Sequence, residues 1–202
     1  MIRRILDSDY DFILSSLKEN NFALSSGVEK SIMKPIIEDK YSVTLVYEEN
    51  SEPKAFYTVV THPESFMKSF YQNMNLYTRI KYQLKNKLDA LASEKSSEIV
   101  NIPQKCQTML SNMFSANGEY TISLFMVSKA KKSVAKDFFL KITSLIDKYP
   151  YMLGVIKKDN YGSIMIHKMI FGDSIEFYDV DKDSYFCVID IEQFRKAIEK
   201  DI

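Results

Sequence analysis

The chain has 202 residues, 46% of them hydrophobic and 13% aromatic, which suits one folded domain with a substantial core and excludes a disordered chain. Lys+Arg and Asp+Glu both total 27, so the net charge is zero and no whole-molecule field draws the protein to nucleic acid or an anionic membrane. Two cysteines, Cys106 and Cys187, are too few for a disulfide framework, and no apolar run approaches the ~20 residues of a membrane-spanning helix.

The N-terminus, Met1-Ile-Arg-Arg-Ile-Leu-Asp, becomes charged too soon for a signal peptide, so a soluble cytoplasmic protein is expected. Residues 2–6 read as a short strand. Asp7 or Ser8 then caps a helix to about Asn20, with Phe12, Ile13, Leu14 and Leu17 on its apolar face. A second helix is expected over 28–39, limited or kinked by Pro35. Two β-rich runs, 41–48 and 54–61, flank the polar turn 49–53 and predict a hairpin.

From 64 to 114 the pattern turns helical and reads as an insertion into a single domain spanning 1–202. Phe66, Phe70, Tyr77, Ile80, Leu84, Leu88 and Leu91 share one face of a long amphipathic helix, a face that suits core or a homodimer contact. After a polar break at 93–97, Pro103 opens a helix carrying Met109, Leu110, Met113 and Phe114. Asn117-Gly118 then resets the chain.

Residues 120–127 form an apolar strand. It feeds through the basic run 128–136 into a helix over 134–148, with Phe138, Phe139, Ile142, Leu145 and Ile146 on its apolar side. A helix N-terminus offers free N–H groups and the positive end of its dipole, so this junction is a seat for a phosphate. A strand at 151–156, a turn or cap at 159–162, a helix at 163–170, strands at 174–179 and 185–190, and a short final helix complete the chain. Cys187, inside an apolar strand, reads as a buried thiol.

The order strand, two helices, hairpin, inserted helices, strand, helix, strand, helix, two strands resembles the GNAT superfamily of N-acyltransferases, outside the insertion. Ile2-Arg-Arg-Ile followed by Asp9, the strand 120–127, and Leu153 to Asn160 followed by Ser163 to Ile170 carry the resemblance. It implies an α/β (α+β) fold with a mixed, mostly antiparallel central sheet flanked by helices. It also implies acetyl-CoA as co-substrate and a small-molecule or peptide amine as acceptor.

In that family the central strand splays from its neighbour and binds the pantetheine arm with unpaired backbone groups. By position Phe125, Met126 and Val127 would do so, with Asn160 on the following turn. The family's pyrophosphate turn, Arg/Gln-x-x-Gly-x-Gly/Ala, aligns with Lys132-Ser133-Val134-Ala135-Lys136-Asp137 or, one residue earlier, with Lys131 to Lys136. Neither register carries the glycines, and the first ends on an aspartate that would repel a phosphate beside it. Lys129, Lys131, Lys132 and Lys136 would hold the phosphates.

His167 takes the place of the family's tyrosine, the acid that protonates the leaving thiolate, and Tyr161 is a second candidate acid. Glu119, opening the central strand, is the candidate base, and His62 borders the same region. No metal is implied. Ser, Cys or other covalent catalysis is not required, because the amine attacks the thioester directly. The missing glycines and replaced tyrosine leave a second reading open, a non-catalytic binding module acting through protein contacts. A composition rich in Lys, Ile, Asn and Tyr points to an AT-rich bacterial genome.

Overall fold

The computed structural model describes residues 1–19, 30–73, 102–114, 119–128, 132–180 and 182–200. Seven strands form one sheet in the order β1-β2-β3-β4-β5-β7-β6. They are β1 (Ile2–Arg4), β2 (Ser42–Glu49), β3 (Glu52–Val60), β4 (Tyr120–Ser128), β5 (Tyr151–Lys157), β6 (Ile175–Asp179) and β7 (Ser184–Asp190). Every neighbouring pair is antiparallel except β4 and β5.

Alternation along the strands sorts the core into two layers, because successive side chains point to opposite faces. On the first face Val46, Phe56, Val60, Tyr120, Ile122 and Leu153 pack with α1 (Tyr10–Glu19), α2 (Lys30–Ile37), α3 (Pro63–Asn73) and α4 (Gln104–Ser111). On the second face Ala55, Tyr57, Val59, Met152 and Ile156 pack with α5 (Lys132–Leu145), α6 (Tyr161–Phe171) and α7 (Ile191–Lys200).

Ile13 and Leu17 of α1 are buried as expected, joined by Tyr10, whose hydroxyl donates to Glu38 at 2.7 Å. A 3-10 turn over Asp7–Asp9 precedes α1. Asp9 is buried, accepts the Leu6 N–H at 2.7 Å and two guanidinium bonds from Arg3 at 2.7 and 2.9 Å. Arg3 also donates to Glu48 at 2.8 Å, so one side chain ties β1, the turn and β2 together.

The hairpin is tighter than the pattern implied. Its turn is the pair Asn50 and Ser51, at φ 52° and 62°, and Pro53 already lies in β3. Two consecutive residues at positive φ give a turn whose twist matches that of the strands. A bulge between Tyr47 and Glu48 absorbs the extra residue.

Phe66 and Phe70 of the expected insertion helix are buried and stacked, with ring centroids 6.0 Å apart. Tyr77, Ile80, Leu84, Leu88 and Leu91 lie outside the described residues, as do the break at 93–97 and Asn117-Gly118. Pro103 stands at the N-cap of α4, and Met113 is buried. Phe114 is exposed, as is Leu145, because α5 ends there rather than at 148. The Asn112 carbonyl accepts from Tyr120 Oη, and Lys105 donates to Tyr151 Oη, so the insertion returns at the starts of β4 and β5. No helix among the described residues is long and apolar enough to cross a membrane.

Candidate active site

The two parallel strands pair only at their beginnings, Tyr120 with Tyr151, Thr121 with Met152 and Ile122 with Leu153. Beyond these pairs β4 stays on β3, through Phe125, Met126 and Val127 opposite Thr58, Tyr57 and Phe56. β5 stays on β7 through Gly154 to Lys157. The strands therefore part after Ile122 and Leu153, leaving the inner edge of β4 over 123–128 unpaired, a run of about 20 Å. Backbone groups alternate sides along a strand, so roughly half of those on this run face the gap.

A bulge causes the parting. Val59 opposes Ser123 and Thr58 opposes Phe125, so Leu124 is an extra residue on β4. Such an insertion bends its strand and raises the local twist. It falls directly after the last β4–β5 pair. No glycine or proline marks it, and the sequence reading missed it.

The outer end of β4 leads to α5, whose first helical residue is Lys132. Residues expected to form a phosphate turn, Lys132 to Asp137, are thus the first turn and a half of a helix. The amides of Lys132, Ser133 and Val134 lack intrahelical carbonyl partners, and the positive end of the dipole lies here. Val134 is buried in the second layer, while Lys136 is exposed. Asp137, in the next turn, acts on Tyr47 of β2: burial raises that phenol's pKa, and Glu49 and Asp137 add to the effect. Lys129 and Lys131 lie outside the described residues.

Asn160 caps α6, its Oδ1 accepting the Ser163 N–H at 3.1 Å. Tyr161 is 74% exposed at the first position of α6 and heads an apolar stripe with Met165 and Met169. His167 is buried between α5 and α6, its ring 5.2 Å from that of Phe139. His167 Nδ1 lies 2.7 Å from the Ser163 carbonyl oxygen, which can only accept, so Nδ1 carries the proton. Burial lowers the imidazole pKa, against a smaller opposing effect of that hydrogen bond. The neutral ring therefore presents Nε2 as an acceptor, and it can act as an acid only after a protonation that burial opposes.

Glu119 is exposed just before β4, about 13 Å along the strand from Ser123. His62 stands at the same closed end, with Nδ1 3.2 Å from both Thr61 Oγ1 and Tyr149 Oη. Burial and the charge of Lys148 lower its pKa. Glu119 and His62 lie by the start of β4, and the first turn of α5 follows its other end; His167 and Tyr161 lie on α6, on the second face.

One group absent from the sequence reading sits where the strands part. Tyr57 of β3 is fully buried on the second face, and its Oη reaches across β4 to Met152 Sδ on β5 at 3.3 Å. Where the strands part, Gly154 of β5 faces Ser123 of β4. A Cβ on Gly154 would lie 3.6 Å from Ser123 Cβ. Only the three-strand register reveals this grouping. In the sequence Tyr57 is one aromatic of a hairpin strand.

No family model and no curated protein matches the sequence. Solved structures do match the fold. A probable acetyltransferase from Staphylococcus epidermidis is 11% identical at TM-score 0.56, over 94% of this chain and 98% of its own. Ribosomal-protein-alanine N-acetyltransferase from Brucella melitensis is 11% identical at TM-score 0.55, over 94% and 99%. Spermidine N-acetyltransferase from Vibrio cholerae, in complex with CoA and spermine, is 8% identical at TM-score 0.51, over 96% and 97%. The chain has the GNAT fold, with the mostly antiparallel sheet and flanking helices that the resemblance implied.

Proposed function

We propose that this chain, on its GNAT fold, is an acyl-CoA-dependent N-acyltransferase that carries an acetyl group from acetyl-CoA to a primary amine of a small molecule or peptide. The observation that supports the reading is the parting of β4 from β5 beside the open N-terminus of α5. In this reading the amide-rich pantetheine arm pairs with the backbone of Phe125, Met126 and Val127. The phosphates meet the amides of Ser133 and Val134, beside Ala135, and the ammonium groups of Lys129, Lys131, Lys132 and Lys136. Asn160 fixes the start of α6 on the far side. A basic helix N-terminus without glycines serves because its free amides already point outward. Such a protein works where acyl-CoA is made, in the cytoplasm.

The chemistry is direct transfer. A neutral amine attacks the thioester carbonyl, the N–C bond forms, the C–S bond breaks and its electron pair stays on sulfur. One proton leaves nitrogen and one reaches sulfur. Glu119 takes the amine's proton through water, given its distance from the gap. His167 on the helix face is a candidate donor of the proton that reaches sulfur, once it has taken one up against the effect of burial. Tyr161 is the solvent-side hydroxyl of the same helix.

Calorimetry with acetyl-CoA tests the reading. Micromolar binding is expected, weakened at least tenfold in Lys131→Ala/Lys132→Ala, since each lost charge-assisted contact removes about 1.5 kcal/mol or more. No binding at high ligand concentration would instead favour a non-catalytic module on the same fold.

Gly154 gives an independent check. Gly154→Ala is expected to fold and bind normally, because its methyl meets Ser123 only at van der Waals distance, 3.6 Å. Gly154→Val adds branches beside the gap. It is expected to weaken acetyl-CoA binding tenfold or more while thermal melting stays near that of the alanine variant.

A further inference from the structure

We propose that Val155 and Lys157, neighbours on the first face of β5 beside the gap, select the acceptor, and that the acceptor is a free α-amino acid with an apolar side chain. Val155 carries the side chain and Lys157 the carboxylate. The inference rests on the acyltransferase reading above and narrows its primary amine to one chemical class.

On the second face α5 and α6 cover the sheet, and in that reading the donor's phosphates sit at the α5 N-terminus. An acceptor therefore reaches the thioester from the first face. The side chains of β5 on that face are Leu153, Val155 and Lys157, opposite Val188, Phe186 and Ser184 of β7. Leu153 is the last residue paired with β4 and is fully buried. Val155, two residues further on, is 53% exposed. An interior strand normally buries such a residue. Among the described residues it is the one large apolar side chain of any strand that is exposed. Across the gap Leu124, the bulged residue of β4, packs on the same layer, and Phe186 and Tyr178 continue that layer beyond Val155. The result is an apolar shelf that opens at Val155.

Charge then sorts the acceptors. Lys157 is exposed, lies about 7 Å along the strand from Val155 and has no ion-pair partner among the described residues. Lys158 reaches the other way, over the Tyr185 ring, and pairs with Asp179 at 2.5 Å. The carboxylates on the first face of β6 and β7 are engaged: Glu176 accepts from Tyr178 Oη, and Asp190 accepts the Gln193 N–H at 2.8 Å. A polyamine would set several ammonium groups beside a free lysine, with no free carboxylate there to meet them. An apolar amino acid matches the shelf. Its side chain lies on Val155, its carboxylate meets Lys157, and its nitrogen, once deprotonated, turns to the gap. The bonds made and broken are those given above, so the products are an N-acetyl amino acid and CoA.

The test is steady-state acetyl transfer, followed by release of the CoA thiol, with L-phenylalanine, phenethylamine, phenylalanylglycine and spermidine as acceptors. Phenethylamine is phenylalanine without its carboxylate. The kcat/KM for phenylalanine is expected to exceed that of each other amine at least tenfold, the worth of one charge-assisted contact. Lys157→Gln is expected to bring the ratio of phenylalanine to phenethylamine near one, with the Kd of acetyl-CoA unchanged. Val155→Ala is expected to lower the ratio of phenylalanine to alanine severalfold, since each methylene of apolar contact is worth about fourfold. Both positions are exposed, so both variants should melt close to wild type. Equal or better use of phenethylamine, phenylalanylglycine or spermidine by wild type overturns this inference and leaves the acyltransferase reading standing. Weaker acetyl-CoA binding in Lys157→Gln also overturns it, because the lysine would then serve the phosphates. Acetyl-CoA bound with none of the four amines acetylated overturns it as well. Failure of wild type to bind acetyl-CoA overturns the acyltransferase reading and this one with it.

Discussion

Asp9→Ala is expected to destabilise the fold by about 3–5 kcal/mol, the range for breaking a buried ion pair from one side. The aspartate accepts from two guanidinium nitrogens of Arg3 and from the Leu6 N–H, while only 2% of its side chain is exposed. Removing it leaves Arg3 partly buried and held by Glu48 alone among its former carboxylates, and it releases the turn that starts α1. Denaturant unfolding measures the loss. Asp9→Asn keeps the shape and isolates the charge.

The same site sets an acid limit. Burial alone would raise the Asp9 pKa, but the Arg3 hydrogen bonds, the Leu6 N–H and the Arg3 charge outweigh it and hold the carboxyl below its ordinary value. A depressed folded pKa means stabilisation that is present above about 3.9 and lost as pH falls through the lower folded value. His167 acts earlier. Its imidazole pKa is lowered by burial, so the unfolded chain takes up a proton first and stability begins to fall below about pH 6.5. Unfolding free energy is thus expected to decline in two stages on acidification. The first stage should shrink in His167→Gln to the part due to His62, whose pKa is also lowered, and the second should shrink in Asp9→Asn.

Phe139→Ala is expected to cost a comparable amount, about 3–5 kcal/mol, or roughly 6–20 °C in Tm for a chain of this size. Its ring packs edge-on against Tyr57 at 5.1 Å, His167 at 5.2 Å and Phe171 at 4.6 Å. Its ring links β3, α5 and α6 on the second face. Because α5 also carries the proposed phosphate site at its N-terminus, acetyl-CoA affinity should fall with it. A stable variant that kept full affinity would show that the helix face and the gap are independent.

The layers were legible because burial writes period two on strands and period near four on helices. The run 54–61 has β-branched and aromatic residues at both parities and packs on both faces; Phe138, Phe139 and Ile142 mark one side of α5. Boundaries were less legible. The α5 start at Lys132 carries no capping residue in its pattern, so the basic run read as a turn. Leu124 looks like any strand leucine, since a bulge is a property of two strands in register and not of one residue type. His167 was singled out by its position in the resemblance. Its proton assignment came from the Ser163 carbonyl, which only the folded helix supplies. Tyr57 could not be singled out, because its partner Met152 is 95 residues away.

The three pairs between β4 and β5 have a mechanical meaning as well. The sheet is continuous in strand order but carries a seam in its hydrogen bonding, with β1 to β4 as one block and β5 to β7 as the other. Beyond those pairs, side-chain packing such as Tyr57 on Met152 and the covering helices carry cooperativity across the seam, so the two blocks are free to differ in their local unfolding free energies. A molecule whose amides bond to both inner edges welds the blocks together. Its binding energy then appears as added cooperativity of the whole domain, over and above occupancy of a pocket.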